Sequence, residues 1–256
     1  MLDAMPNSFE RVAVVVKAAP HASAHYGETV CCAGITADGQ WRRLYPVRFR
    51  HLSGDKQFKR WDWVTYKWRI PKDDRRTESR RIQEDSLRLD GTVGATSRAS
   101  LIEAAIVPCL ETAISAGSTL AIIRPHPGSF QLSWKRKTPL RIGRERAAAH
   151  GRLVQQSFFE KQPKPLEPCP YEFRATFSDG TQTYERKCGD WETEAMYWNL
   201  SKTMSEAAVL SRMNEVFNCD YPRQGMALAL GNMKRNPSVW MLLGIVRVDE
   251  PPPRLL

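Results

Sequence analysis

Arginines and tryptophans are concentrated between residues 41 and 81. This segment holds 14 Lys+Arg against 5 Asp+Glu, and four of the eight tryptophans of the chain. Arginine pairs with backbone phosphates and flat aromatic rings stack on bases, so this composition is typical of nucleic-acid contact. The side chains predicted to make such contacts are Arg42, Arg43, Arg48, Arg50, Arg60, Trp61, Trp63, Arg75, Arg76, Arg80 and Arg81. In the alternative interpretation, the tryptophans form the core of a barrel and the arginines surround its rim.

A second basic segment, residues 134–154, holds 7 Lys+Arg against 1 Asp+Glu. The rest of the chain carries 17 basic and 22 acidic side chains, so the net charge of +10 arises from the two segments. Where a strand leads into a helix, the first backbone N–H groups of the helix add to phosphate binding. The predicted contacts here are Lys135, Arg136, Lys137, Arg141 and Arg144. A solvated helix without a ligand is the alternative.

Carboxylates in the C-terminal part are the candidates for catalysis. Asp190 and Glu192 are suited to activating water for phosphodiester or N-glycosidic hydrolysis. Helix capping accounts for the same two residues without any chemistry. Asp179, Glu185 and Lys187 are spaced like the metal-binding carboxylates and lysine of many nucleases. A hairpin turn and a solvated strand face are the alternative for these three.

Other chemistries have no motif in the sequence. It contains no GxGxxG, P-loop or GxSxG pattern, and its histidines lack ligand spacing, so we expect neither a cofactor nor a metal. Zinc bound by Cys169, Cys188 and Cys219 is an alternative with irregular spacing. The longest apolar run, residues 104–110, is far below the roughly 20 residues of a membrane span. Reduced cysteines and the lack of a typical secretory signal predict a cytoplasmic protein.

The N-terminal part is predicted to consist mainly of strands. A β-branched run at 11–17 and alternation at 62–70 are typical of strands. Asp38-Gly39 between two further runs, 28–36 and 41–47, predicts a hairpin. Further elements are predicted at 100–116 (a helix interrupted by Pro108), 119–123 (a strand) and 144–159 (a helix).

The C-terminal part combines strands and helices. We predict a hairpin of 171–177 and 181–187, helices capped by Asp190 and Ser205, and strands at 226–230 and 239–248. Four prolines make residues 161–170 an extended connector. The predicted fold class is therefore α+β, with a β-rich, partly barrel-like N-terminal domain at 1–160 and a smaller α+β domain at 168–250.

Several motifs resemble those of a group of bacterial proteins of unknown function. The resemblance brings no activity with it. It is carried by residues 28–34, 39–50, 74–79, 190–192 and 236–245. Separately, residues 240–248 are similar to the final strand of small barrels of the PUA, ASCH and EVE type, which bind RNA or modified DNA bases.

These features together predict a nucleic-acid-binding protein with DNA or RNA as its partner. Arginines would contact phosphates while an aromatic pocket accepts a modified or flipped-out base, in genome defence or nucleic-acid modification. One alternative is a hydrolase, a DNA glycosylase or nuclease, that uses a carboxylate near the same pocket. Another is an adaptor whose basic face meets an acidic protein.

Overall fold

Within the described residues, five strands close into a barrel in the N-terminal half. The computed structural model describes residues 9–19, 21–23, 27–154, 166–234 and 236–249. The strands of this half are β1 (Phe9–Lys17), β2 (His21–Ser23), β3 (Gly27–Thr29), β4 (Cys32–Ile35), β5 (Trp41–Tyr45), β6 (Asp62–Arg69), β7 (Ser79–Ile82) and β8 (Arg88–Thr92). The ring runs β1–β4–β5–β7–β6 and closes because β6 also pairs with β1. β8 extends the sheet beyond β6, and β2 pairs with β3.

Alternate side chains of the strands fill the barrel. Val12 and Val14 of β1 and Val64 and Tyr66 of β6 are fully buried in this interior cluster. The predicted alternation of 62–70 is confirmed at these β6 positions. Ile70, expected on the same face, is exposed because β6 ends one residue before it.

The hairpin predicted at Asp38-Gly39 connects β4 and β5. Ile35 pairs with Trp41 at its end, and the Gly39 backbone N–H donates to the Thr36 carbonyl at 3.0 Å. Gly39 has a φ of 83°, in the left-handed region that favours glycine. A Cβ at this position would collide with the carbonyl oxygen of Ala104. The hairpin tip therefore lies so close to the backbone of Ala104 that only a glycine fits at this position.

The central sheet is formed by β9 (Leu120–Ile123), β13 (Met226–Met233) and β14 (Asn236–Arg247), with β13 in the middle. It is buried on both faces. One face, with Ile122 and Ala229, packs with Val15 and Trp61 on the outside of the barrel. The other face packs in the core of the C-terminal half, and its residues include Ile123, Leu228, Leu230 and Leu242.

A third sheet consists of β10 (Gln131–Arg136), β11 (Tyr171–Ser178) and β12 (Thr183–Lys187), in that order. Tyr171, Phe173, Ala175 and Phe177 alternate inward along β11 and are buried. The predicted hairpin is confirmed, with its turn at Asp179 and Gly180.

Helices cover the sheets and connect them. They are α1 (Ala95–Glu103), α2 (Leu110–Ser115), α3 (Pro139–Val154), α4 (Trp191–Leu200), α5 (Glu206–Glu215) and α6 (Tyr221–Arg223), and a π-helical turn (Val216–Asp220) joins the last two. Short 3₁₀ turns occur at Phe49–His51, Gly54–Lys56 and Glu84–Ser86. A membrane-spanning helix is not found among the described residues.

The helix starts agree with the predicted caps and differ at α3. Asp190 accepts a hydrogen bond from the Glu192 N–H, and Ser205 accepts one from the Ala208 N–H, as expected of N-caps. The predicted helix at 100–116 is divided into α1 and α2, with Pro108 between them. α3 begins at Pro139, not at residue 144, because proline suits the first helical turn. Residues 155–159 of its predicted end lie outside the described residues.

The predicted α+β fold class, with a barrel in the N-terminal half, is confirmed. Strands on both sides of the proline-rich connector share sheets, since β9 pairs with β13 and β10 with β11. Residues 161–165 of that connector lie outside the described residues. The division into domains 1–160 and 168–250 stays a prediction.

Substituting Gly39 by Ala tests the contact at the hairpin tip. Both Gly39 and Gly91 have positive φ, but a Cβ at Gly91 meets open space. The left-handed backbone costs each alanine variant about 1–2 kcal/mol. Gly39→Ala adds a steric cost of about 1–3 kcal/mol. Urea denaturation should therefore rank Gly39→Ala below Gly91→Ala in unfolding free energy; equal values would mean that Ala104 does not constrain the turn.

Candidate nucleic-acid interface

A cavity of about 460 Å³ lies between the outside of the barrel and the hairpin of β13 and β14. Leu44 of β5 is buried in the barrel, so its neighbours Arg43 and Tyr45 point the other way, into this cavity. Met241 and Leu243 of β14 face them from the opposite wall. The stretch before β7 adds Pro71, Asp73, Asp74 and Arg76 to the lining. The barrel and the central sheet thus build the cavity jointly.

The charged lining of the cavity is mainly basic. Within the described part of the chain, two acidic side chains oppose five basic ones. The basic residues are Arg43, Arg76, Arg80, Arg81 and Lys234, and the acidic ones are Asp73 and Asp74. A concave site lined by one sign of charge concentrates ligands of the opposite sign. This cavity is therefore suited to an anion.

Asp74 holds the loop beside the cavity in place. Its carboxylate accepts hydrogen bonds from Arg76 Nε at 2.9 Å and Nη2 at 2.6 Å, and from Ser79 Oγ at 2.9 Å. Burial opposes ionisation, but these hydrogen bonds outweigh it and lower the pKa of Asp74. Asp74 thus joins Arg76 to Ser79 at the start of β7, and these hydrogen bonds fix the position of Arg76 in the wall.

Arg43 is the most buried cation of the lining, with a side chain 9% exposed. Its Nη2 donates to the Thr119 carbonyl at 3.2 Å and lies 3.7 Å from Glu78 Oε1. Its Nε is buried and has no hydrogen-bond partner among the described residues. Burial, and then the nearby Arg76, lower the pKa of Arg43. A negatively charged ligand in the cavity would raise that pKa again.

The first basic segment is divided by the fold. Arg43, Arg76, Arg80 and Arg81 line the cavity. Three of the predicted contacts are paired with carboxylates. Arg42 Nε lies 2.5 Å from Glu10, and Arg48 Nε lies 2.8 Å from Glu84. Arg80, although it lines the cavity, lies 3.0 Å from Glu10. Arg50 is half-buried and Arg75 is exposed, and neither lines the cavity. Glu10 and Glu84 lie outside the segment, so they offset part of its excess positive charge in three dimensions.

The tryptophans do not form the expected stacking surface. Trp61 is 5% exposed and belongs to the core between the barrel and the central sheet, so it is not available to stack on a base. Trp63 is half-buried, and the guanidinium of Arg11 covers its ring at 4.3 Å. Trp61 is buried, as the alternative interpretation expected, but it lies outside the barrel and not in the barrel interior.

The second basic segment is partly neutralised as well. Lys137 Nζ lies 2.8 Å from Glu145, and Arg141 Nη2 lies 2.5 Å from Glu172. Arg136 pairs with Glu206. Lys135 and Arg144 are exposed. None of these five residues lines the cavity, so the structure does not bring the two basic segments together at that site.

Asp190 has a structural task that contradicts the catalytic expectation. Its side chain is 0% exposed. It accepts two hydrogen bonds from Arg60 Nη2, at 2.8 and 2.9 Å, and one from the Ile245 N–H at 2.9 Å. Its Oδ1 also accepts from the Glu192 N–H at 3.1 Å. With no surface open to solvent, this carboxylate cannot activate a water; likewise, Arg60 serves this ion pair and not a phosphate.

The other candidate carboxylates are paired with cations or used in a turn. Glu192 lies 2.8 Å from Lys17 Nζ, and Glu185 pairs with Arg174 on the exposed face of β12. Asp179 accepts from the Leu110 N–H at 3.0 Å and from Tyr184 Oη at 2.8 Å, so it ties the hairpin turn to α2. Within the described ranges, His, Cys, Asp and Glu do not gather in threes that could hold a metal ion. A catalytic role for Glu192 or Glu185 stays a prediction.

Two domain families match the chain. DUF8758 matches residues 8–106 and DUF8757 matches residues 110–254, and both are described as domains of unknown function. The second match covers more than half of the 256 residues. The chain belongs to the DUF8757 family. No curated protein matches it.

Among solved structures, a murine DNA-binding protein bound with double-stranded DNA is similar to the DUF8757 protein. The TM-score is 0.32 at 10% identity, and the comparison covers 95% of this chain and 98% of that chain. A similarity at this level carries no argument about function. The site must be interpreted from its own geometry.

The cavity lies between the segments that the two families match. The DUF8758 segment supplies β5 and β7, and the DUF8757 segment supplies β13 and β14. Sequence reasoning missed Lys234, Asn232 and Cys31 in the lining. Cys31 falls within the resembling motif of residues 28–34, which named no ligand, and Asn232 and Lys234 fall in none of the motifs.

Replacing Asp190 by Asn tests the structural task. The substitution keeps the shape of the side chain but leaves Arg60 buried without its counter-charge, which typically costs about 3–5 kcal/mol. The control is Glu185→Gln on the exposed face of β12. Glu185 is 59% exposed and its partner Arg174 is 41% exposed, so losing this pair should cost about 1 kcal/mol or less. Chemical denaturation measures both; a wild-type unfolding free energy for Asp190→Asn would refute the assignment.

Proposed function

We propose that the DUF8757 protein binds nucleic acid and accepts one unpaired or flipped-out nucleotide in the cavity between the barrel and the central sheet. The observation that carries the proposal is the cavity itself, about 460 Å³ in volume with mainly basic charged residues in its lining. Ligand sites typically measure about 300–1,000 Å³. A nucleotide combines a flat base with a charged phosphate, and this cavity offers a surface for each.

The apolar and basic parts of the lining would contact different parts of a nucleotide. Tyr45, Met241 and Leu243 would contact the faces of a base, while Arg81 and Lys234 would contact phosphate. Lys234 is about half exposed and lies 3.3 Å from Asp73, so it belongs to the solvent-facing part of the lining. Extruding a base from a duplex costs a few kcal/mol and least where the base is already unpaired. The proposed ligand is therefore a nucleic acid with an unpaired nucleotide.

A finer form of the proposal is recognition of a modified base, in genome defence or nucleic-acid modification. It is supported by the resemblance of residues 240–248 to the last strand of PUA, ASCH and EVE barrels. In this protein those residues lie in the central sheet, where Met241 and Leu243 line the cavity. Comparing an unmodified and a base-modified unpaired nucleotide in the assay below tests this form.

Binding should depend on salt and on the cavity cations. Fluorescence anisotropy is measured with a labelled duplex that carries one bulged nucleotide, over a range of NaCl concentrations. Arg81→Gln with Lys234→Gln should weaken binding and make the log–log salt slope shallower by about 1.4, roughly 0.7 per lost phosphate contact on an unpaired strand. The fully paired duplex should bind more weakly than the bulged one.

The matched control is Lys202→Gln with Arg223→Gln. It removes the same charge from two exposed residues outside the cavity. This double variant should keep the wild-type slope apart from a small general effect of net charge. If both double variants lose affinity equally, the cavity is not the binding site. Absence of binding to any nucleic acid at 20–50 mM salt would refute the function altogether.

A further inference from the structure

Two arginines lie directly opposite each other on the outside of the barrel. Arg69 of β6 pairs with Arg81 of β7 in the antiparallel register. Val64 and Tyr66 point into the barrel, so Arg69 points outward, and its partner Arg81 points the same way. Residues paired like this have Cβ atoms about 4.5–5.5 Å apart, and like charges there are destabilising. A bound anion would offset that cost, and Arg81 already lines the cavity.

The same face continues from Arg69 to further cations and an exposed phenylalanine. Lys67 lies two residues before Arg69 on β6, about 7 Å away. It pairs with Phe9 of β1, which is 47% exposed. Lys67 Nζ lies over the Phe9 ring at 5.3 Å from its centre, and Arg88 Cζ of β8 lies at 5.6 Å. We call Arg69, Lys67, Arg88 and Phe9 the outer strip; Arg81 joins it to the cavity.

Acidic side chains beside the outer strip have other cationic partners. Asp90 lies 2.5 Å from Arg11 Nε. Asp73 accepts a hydrogen bond from Lys234 at 3.3 Å, and this bond, together with the charge of Arg81, lowers the pKa of Asp73. The outer strip therefore carries a net positive charge on a face that solvent reaches.

Resting on the proposed function, we propose that the outer strip binds the unpaired nucleotides next to the one in the cavity. Lys67 and Arg69 contact their phosphates, and one base stacks on Phe9. The lysine stem is flexible, so Lys67 can move from the ring to a phosphate when a base takes its place. Cations beside exposed aromatic rings are how proteins hold single strands without reading their sequence. The preferred ligand is therefore a short single-stranded tract and not an isolated extruded nucleotide.

The test compares two duplexes by fluorescence anisotropy, one with a single bulged nucleotide and one with a bulge of four. The wild-type protein should bind the larger bulge more tightly. Phe9→Ala should reduce this advantage about fivefold, the lower end for loss of one stacked base, and leave binding of the single bulge unchanged. The number of nucleotides that can enter the cavity is the same for every variant, so a change in the ratio of the two affinities is due to the outer strip.

The matched control is Leu140→Ala. Leu140 is also an exposed apolar residue, 66% exposed, but it lies on α3, outside the outer strip and the cavity. This variant should keep the wild-type ratio.

A second variant does not depend on how Phe9 contributes to the fold. Lys67→Gln with Arg69→Gln should make the log–log salt slope of the larger bulge shallower by about 1.4, roughly 0.7 per lost phosphate contact. The slope of the single bulge should stay at the wild-type value apart from a small general effect of net charge.

Three results would overturn the inference and leave the proposed function standing. In the first, the wild type binds both bulges equally. In the second, Phe9→Ala and the Lys67 and Arg69 double variant keep the wild-type ratio. In the third, these variants weaken both bulges equally, because the outer strip would then contact paired DNA. Absence of binding to either duplex at low salt removes the proposed function as well.

Discussion

The rest of the structure depends on one buried carboxylate. Asp190 is the N-cap of α4. Its carboxylate accepts hydrogen bonds from Arg60, which follows the 3₁₀ turns of the barrel, and from the Ile245 N–H of the central sheet. Barrel, sheet and helix are thus joined at a point that solvent does not reach. A buried ion pair adds little net stability over apolar packing, but removing one partner is costly. The hydrogen bonds of Asp190 join Arg60 to Ile245 of the central sheet, and the preceding residue, Gly189, lines the cavity.

The distribution of charge along the sequence differs from the distribution of charge in the folded protein. Glu10 lies before the first basic segment and holds both Arg42 and Arg80, and Glu172 lies after the second and holds Arg141. These pairings offset part of the charge of the two basic segments. The cavity is a concave place where Arg43 and Arg76 lie close together and the carboxylates of the lining are outnumbered. Position, and not the total, makes that site attractive to an anion.

Local sequence patterns predicted the hairpins and the helix caps, whereas contacts between residues far apart in the sequence determine the candidate site. Alternation and turn residues were sufficient for the hairpins at Gly39 and Gly180 and for the caps at Asp190 and Ser205, because those structures form between neighbours in sequence. The burial of Trp61 depends on the central sheet packing outside the barrel, which no local pattern encodes. The pair of Arg60 with Asp190 joins residues 130 apart, and for that reason a structural aspartate resembled a catalytic one.

The boundary between the two matched families runs through the cavity. Arg43 and Arg76 come from the segment of residues 8–106, and Lys234 and Met241 come from the segment of residues 110–254. Neither segment encloses the cavity by itself, so the cavity is complete only where both segments occur together. Transplanting either segment into another protein would therefore carry one part of the cavity wall without the other.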